Sequence, residues 1–154
     1  MENTRQIEAT YTTTQAVMRS AISDLNNQQT IKIGDKDYNT VAVRVNMFRK
    51  HFPDWSIDTV ILNETITDAL TKRIVMKTYI RTPAERVVAT GIASEVWKGR
   101  VNTESAVENC ETSAVGRCLA NAGFGTEESI ASAEEVANAI HQQEHRIPNK
   151  ALAR

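Results

Sequence analysis

Residues 72–98 read KRIVMKTYIRTPAERVVATGIASEVWK, and the period of this stretch decides the fold. Lys72 to Arg81 and Arg86 to Lys98 are both rich in β-branched residues and alternate with period two, so each reads as a strand. Between them Thr82-Pro83-Ala84-Glu85 has the chemistry of a hairpin turn. Upstream, Trp55 to Leu62 (WSIDTVIL) has the same character, which completes a three-stranded antiparallel meander. Gly91 interrupts the third strand, where a glycine implies a bulge or the close approach of another backbone.

Outward from the meander the period turns helical. Downstream, Val107, Cys110, Ala114, Cys118 and Ala122 trace one helical face, with Asn102 or Thr103 as N-cap, Glu104 favouring the N-terminal dipole, and Gly123 and Gly125 as the stop. The small residues Ala114, Gly116 and Ala120 would let this helix approach the sheet closely. A last helix starts at the capping box Ser132-Ala-Glu-Glu135 and ends before Pro148. Upstream, Val41, Val45, Phe48 and Phe52 predict a helix that Pro53 ends, and Val17, Met18, Ala21, Ile22 and Leu25 predict another over Thr14 to Asn26. Ile31 to Ile33 is a short strand before the turn residues Gly34-Asp35. The fold class is therefore α+β: an antiparallel three-stranded β-meander packed against a long helix, with additional N- and C-terminal helices. Residues 1–12 fit a disordered N-terminus, 13–147 a single domain and 148–154 a C-terminal tail.

The 154 residues suit one ordinary domain, and 41% apolar with 24% charged residues is a globular composition. A net charge of -1 excludes a histone-like polycation and a wholly acidic mimic. The distribution says more than the total. Residues 41–100 hold 10 basic and 6 acidic residues, whereas 101–154 hold 4 and 8. A basic middle beside an acidic end points to a polyanion-binding surface on the middle segment. No stretch reaches the roughly 18 apolar residues of a membrane span, and the N-terminus has no signal core, so a cytoplasmic protein with no membrane contact is expected. Cys110 and Cys118, eight residues apart on one helix, would lie ~12 Å from each other, beyond disulfide reach. Reduced, core-filling thiols are expected.

Alternation places Ile74, Met76, Thr78 and Ile80 on one face of the central strand and Arg73, Val75, Lys77, Tyr79 and Arg81 on the other. Cations that neutralise phosphates beside a ring that can stack on a base suit a nucleic-acid strand. A solvent-exposed sheet face is the plainer reading, but Arg86, Lys98, Arg100 and the helix cations Arg44, Arg49 and Lys50 add to the same segment. His141-Gln-Gln-Glu144-His145 matches the H-x-x-E-H pattern, yet a catalytic zinc needs a further ligand, and a polar tail histidine pair is the better reading. Asp54, Asp58, Glu64 and Asp68 are read as solvated loop charges rather than a nuclease centre. There is no phosphate-binding G-x-x-x-x-G-K-S/T loop. No cofactor or metal is expected, and nothing makes a positive case for an enzyme.

The segment Ser105-Ala-Val-Glu108-Asn-Cys-Glu111-Thr-Ser-Ala114-Val-Gly116-Arg117-Cys-Leu119-Ala120-Asn-Ala-Gly123-Phe-Gly125 is the most distinctive in the chain. It resembles the helix of phage single-strand annealing proteins of the Rad-fifty-two-like superfamily, which carry an E, two residues, ETSA, GRALA, LG-G type of pattern after a β-meander. Val88-Ala-Thr-Gly91-Ile-Ala-Ser-Glu95 looks like that family's glycine-containing strand, and Phe48 to Trp55 like its aromatic helix end. The resemblance covers about residues 38–126. One departure is that the helix carries only Arg117 as a cation. The resemblance implies ATP-independent binding of single-stranded DNA and annealing of complementary strands in homologous recombination and DNA repair. It also implies a homo-oligomeric ring or filament, a phage exonuclease or host single-stranded DNA-binding protein as candidate partners, and the bacterial host cytoplasm as the location. The alternative is a protein that coats and protects single strands without annealing them.

Overall fold

The computed structural model describes residues 2–68, 71–98, 105–125 and 130–144. In chain order the elements are α1 (Glu2–Asn26), β1 (Ile31–Ile33), β2 (Lys36–Tyr38), α2 (Val41–His51), β3 (Ser56–Asp68), β4 (Thr71–Arg81), β5 (Val87–Lys98), α3 (Ala106–Asn121) and α4 (Ala133–Glu144). This is the expected α+β arrangement. β3, β4 and β5 form an antiparallel meander in that order, and β1 and β2 pair as a separate hairpin around Gly34-Asp35.

The period-two pattern of β4 does what it predicts. Ile74, Met76, Thr78 and Ile80 are all buried beneath α3, and the Thr78 hydroxyl is satisfied by the Thr59 hydroxyl at 2.9 Å. Against them α3 sets Cys110, Ala114, Cys118 and Leu119, none of which has any exposed surface. Gly91 is where the two layers come closest. A Cβ there would lie 2.9 Å from the Cys118 Cα and meet the Ala114 carbonyl oxygen, so the glycine marks a close approach rather than a bulge. Gly116 does not serve that contact, contrary to expectation. Its missing side chain makes room for Val41 of α2 and Ser132 ahead of α4.

At the C-terminal end of α3, Gly123 takes φ +100°, and the Phe124 and Gly123 amides donate to the Leu119 and Ala120 carbonyls at 2.8 and 2.9 Å. This Schellman closure turns Phe124 inward. There it joins Phe48, Phe52 and Trp55 in an aromatic cluster with ring centroids 4.6–6.4 Å apart, covered by Ala21 and Leu25 of α1. Thr40 caps α2 by accepting from the Val43 amide at 3.2 Å. The capping box of α4 is formed, with Ser132 and Glu135 exchanging bonds of 3.1 and 3.3 Å.

Some sequence expectations change. α1 begins at Glu2 rather than Thr14, so its helix includes residues 2–12, with the hydroxyls of Thr10, Thr12 and Thr14 donating to carbonyls four residues earlier. Asp58, Glu64 and Asp68 lie on β3, which runs six residues past Leu62, rather than on loops. The expected N-cap at Asn102 or Thr103, and Glu104, lie outside the described residues, and Ser105 occupies the cap position of α3. The tail 148–154 is likewise outside them.

Candidate nucleic-acid interface

The face of β4 turned away from α3 carries Arg73, Val75, Lys77, Tyr79 and Arg81, as the alternation requires. Four-residue spacing puts successive cations ~13 Å apart along the strand. Lys77 Nζ lies 4.8 Å and Arg81 Cζ 5.0 Å from the centroid of the Tyr79 ring, so the ring holds two cations in the row by cation–π attraction. Register places Val60 and Ile92 on either side of Lys77, and Asp58 and Thr90 on either side of Tyr79. Asp58 reaches Arg81 only at 3.8 Å, an exposed pair of little strength, and Arg73 Nη1 donates to Ser94 Oγ at 3.3 Å. The face is thus a cationic ridge with apolar and hydroxyl flanks and one acid, Asp58, at its Arg81 end.

The other candidate cations divide by place. Arg49 donates to the Trp55 carbonyl at 2.6 Å. Because the next residue, Ser56, is the register partner of Arg81, Arg49 stands at the Arg81 end of the ridge. Arg86 is exposed at the base of the β4–β5 turn. Lys50 and His51 both engage Asp24 of α1, at 2.6 and 2.9 Å, and hydrogen bonds from Lys50 first and His51 second hold that carboxyl below its ordinary pKa. Lys50 is therefore occupied in joining two helices. Arg117 pairs with Glu135 at 2.6 Å, and it shares with Arg73 a groove of about 520 Å³ between β5 and α4. Lys98 is the last residue of β5, while Arg100 and His145 lie outside the described residues.

Arg44 is a correction. Its side chain is completely buried, and its guanidinium donates to the carbonyls of Gly116 (3.1 Å), Ile130 (2.9 Å) and Ala131 (2.8 Å). Burial lowers its pKa, and the nearby carboxylates of Glu135 and Glu134 act in the opposite sense. It ties α2 to α3 and to the approach to α4, and no phosphate can reach it. Glu134 completes the joint by accepting the Val41 amide at 3.1 Å, a carboxylate at the positive end of α2. Sequence reading missed this inter-helix clamp.

Cys110 and Cys118 are free thiols without exposed surface. Burial raises both, Cys118 to about 11, which leaves them uncharged and unreactive at neutral pH. Among the described residues no group of three or more His, Cys, Asp or Glu side chains is placed to hold a metal ion, and no helix is long and apolar enough to cross a membrane.

No curated protein matches the chain. Residues 45–122, from within α2 to the end of α3, match the family described as Slr1353 N-terminal dsRNA-binding domain-like. That stretch contains the whole meander, the cationic ridge and the helix packed behind it, and is just over half of the chain. By this match the protein belongs to the Slr1353 N-terminal dsRNA-binding domain-like family.

Proposed function

We propose that the protein binds single-stranded DNA along the open face of its sheet and promotes annealing of complementary strands without ATP, acting as an oligomer in recombination. The observation that carries this reading is the alignment of Arg73, Lys77 and Arg81 around Tyr79 on the uncovered face of β4. Family membership supports a nucleic acid as the ligand class. The ridge offers positive charge for phosphates along an open sheet face, so a strand held by its backbone keeps its base edges free to test a second strand. Pairing then draws its free energy from base stacking and hydrogen bonding.

A second reading is duplex RNA binding through the same ridge. The family description favours it, and so does Tyr79, whose ring is already engaged by two cations and is less available to stack on a base. The test uses complementary DNA oligonucleotides carrying a fluorophore and a quencher, in chelator and without ATP. Annealing predicts faster pairing that is lost when Arg73, Lys77 and Arg81 become alanine. Uniform slowing at every protein ratio would identify a coating protein, and preferential competition by duplex RNA would favour the second reading.

A further inference from the structure

The two edges of the sheet are finished differently. β5 is half sheltered: Asn121 Nδ2 of α3 donates to the Thr90 carbonyl at 2.6 Å, and from Ile92 to Glu95 the strand borders the groove roofed by Asn138 and Ala139 of α4. β3 is bare. No described element pairs with its outer side, and from Ser56 to Asp68 it contains no Lys, Arg or Pro, the residues that usually blunt a strand edge. Val60, Ile61 and Leu62 remain 43%, 54% and 51% exposed. Ile61 points to the α3 side, as its register partner Met76 does, but α3 rests on β4 and β5 and leaves it open. The strand therefore shows apolar side chains on both faces until the register shift after Ile61.

We propose that the β3 edge of one copy adds to the β5 edge of the next, entering the groove between β5 and α4, so that successive sheets join head to tail. This rests on the assembly part of the proposed function. Charge selects the occupant. β3 carries acids and no cation, so two β3 edges side by side would gather negative charge, whereas the groove balances Arg73 and Arg117 against Glu95 and Glu135 and adds no such repulsion. Main-chain bonds along an edge supply the attachment, and the flanking side chains supply register. Because the joint uses two different edges, every addition leaves one of each free, and the assembly closes into a ring or grows as a filament. Three strand spacings separate β4 of one copy from β4 of the next, ~14 Å, close to the ~13 Å between successive cations along the strand. The joint would thereby extend one ridge into a regular field of positive charge.

The test needs the full chain and no nucleic acid, so it reads assembly apart from binding. Wild type, Ile61→Lys and Ala139→Glu are compared by size exclusion with light scattering; both positions are exposed, and thermal melts confirm folding. Ile61→Lys blocks the strand and keeps the groove, while Ala139→Glu fills the groove with the charge sign of β3. Wild type should exceed a monomer, each variant should fall to a monomer, and a one-to-one mixture of the two should recover a dimer through the one intact joint. Val60→Lys replaces Ile61→Lys if the latter melts early. Monomeric wild type overturns the assembly reading and the joint together. Variants as large as wild type overturn the joint alone. An Ala139→Glu dimer beside an Ile61→Lys monomer would assign β3–β3 pairing, and a mixture that stays monomeric also refutes the head-to-tail arrangement.

Discussion

Replacing Gly91 by alanine adds one methyl group at the tightest point between sheet and helix. The obstacles are the Cys118 amide nitrogen and Cα and the Ala114 carbonyl oxygen, all main-chain atoms of α3, so no side chain can rotate away. Ordinary contact begins at 3.4 Å and the Cys118 Cα would be at 2.9 Å, which forces the helix outward. A lift of roughly 0.5–1 Å forfeits a quarter to a half of each dispersion contact across the gap. The contacts at risk are those of Cys110, Ala114, Cys118 and Leu119 on Ile74, Ile80 and Ala93. Overpacking costs about 1–3 kcal/mol, and a backbone obstacle argues for the upper end, about 3 kcal/mol. For a domain of this size that lowers Tm by about 6–12 °C. Urea unfolding followed by circular dichroism measures it. Gly34→Ala is the control: it meets nothing within 4 Å, and its only penalty is φ +62°, about 1 kcal/mol. A Gly91→Ala protein within about 0.5 kcal/mol of wild type would refute the close-packing argument.

Three further outcomes are expected. Changing Arg73, Lys77 and Arg81 to alanine should flatten the salt dependence of single-strand binding by about 2 in the logarithmic slope, at ~0.7 per phosphate contact; fluorescence anisotropy across a salt series reads it, and an unchanged slope would leave the ridge a solvated face. Asp24 has a lowered pKa in the folded state, so its contribution to stability is full above its unfolded value and fades as pH falls through the folded one. Asp24→Asn should therefore weaken the protein at pH 7 and shrink the stability difference between pH 7 and acid, as urea melts at both pH values would record. Both thiols should resist a thiol reagent at pH 8 and react only as the protein unfolds in urea, because burial holds Cys118 at about 11 and raises Cys110 as well; stoichiometric labelling of native protein would contradict this.

The strands, the hairpin turn, the buried face of β4 and the capping box were legible because each depends on period or on residues adjacent in the chain. The α1 extension was not, since its first turns are polar and lack the apolar repeat that marks a packed helix. Arg44 is more instructive. It stands three residues after Val41 and four before Phe48, both buried, so spacing alone assigns it to the inner stripe of α2. Its charge argued for the surface, and only the carbonyls supplied by α3 and the approach to α4 make burial tolerable. Those partners are distant in sequence and invisible to a local pattern. The pairing of Arg117 with Glu135 and of Lys50 with Asp24 was hidden for the same reason.

That same arginine bears on how the chain matures during synthesis. Its three carbonyl acceptors are made 72, 86 and 87 residues after it, at Gly116, Ile130 and Ala131. A nascent chain that has already released β3, β4, β5 and α3 from the ribosome still has a guanidinium at its centre with one acceptor of the three in place. Closing α2 onto α3 at that stage would bury an undercompensated charge, and full compensation of Arg44 waits for the docking of Ile130 and Ala131. The segment ahead of α4, rather than the meander, thus completes the burial of the guanidinium that joins the helices.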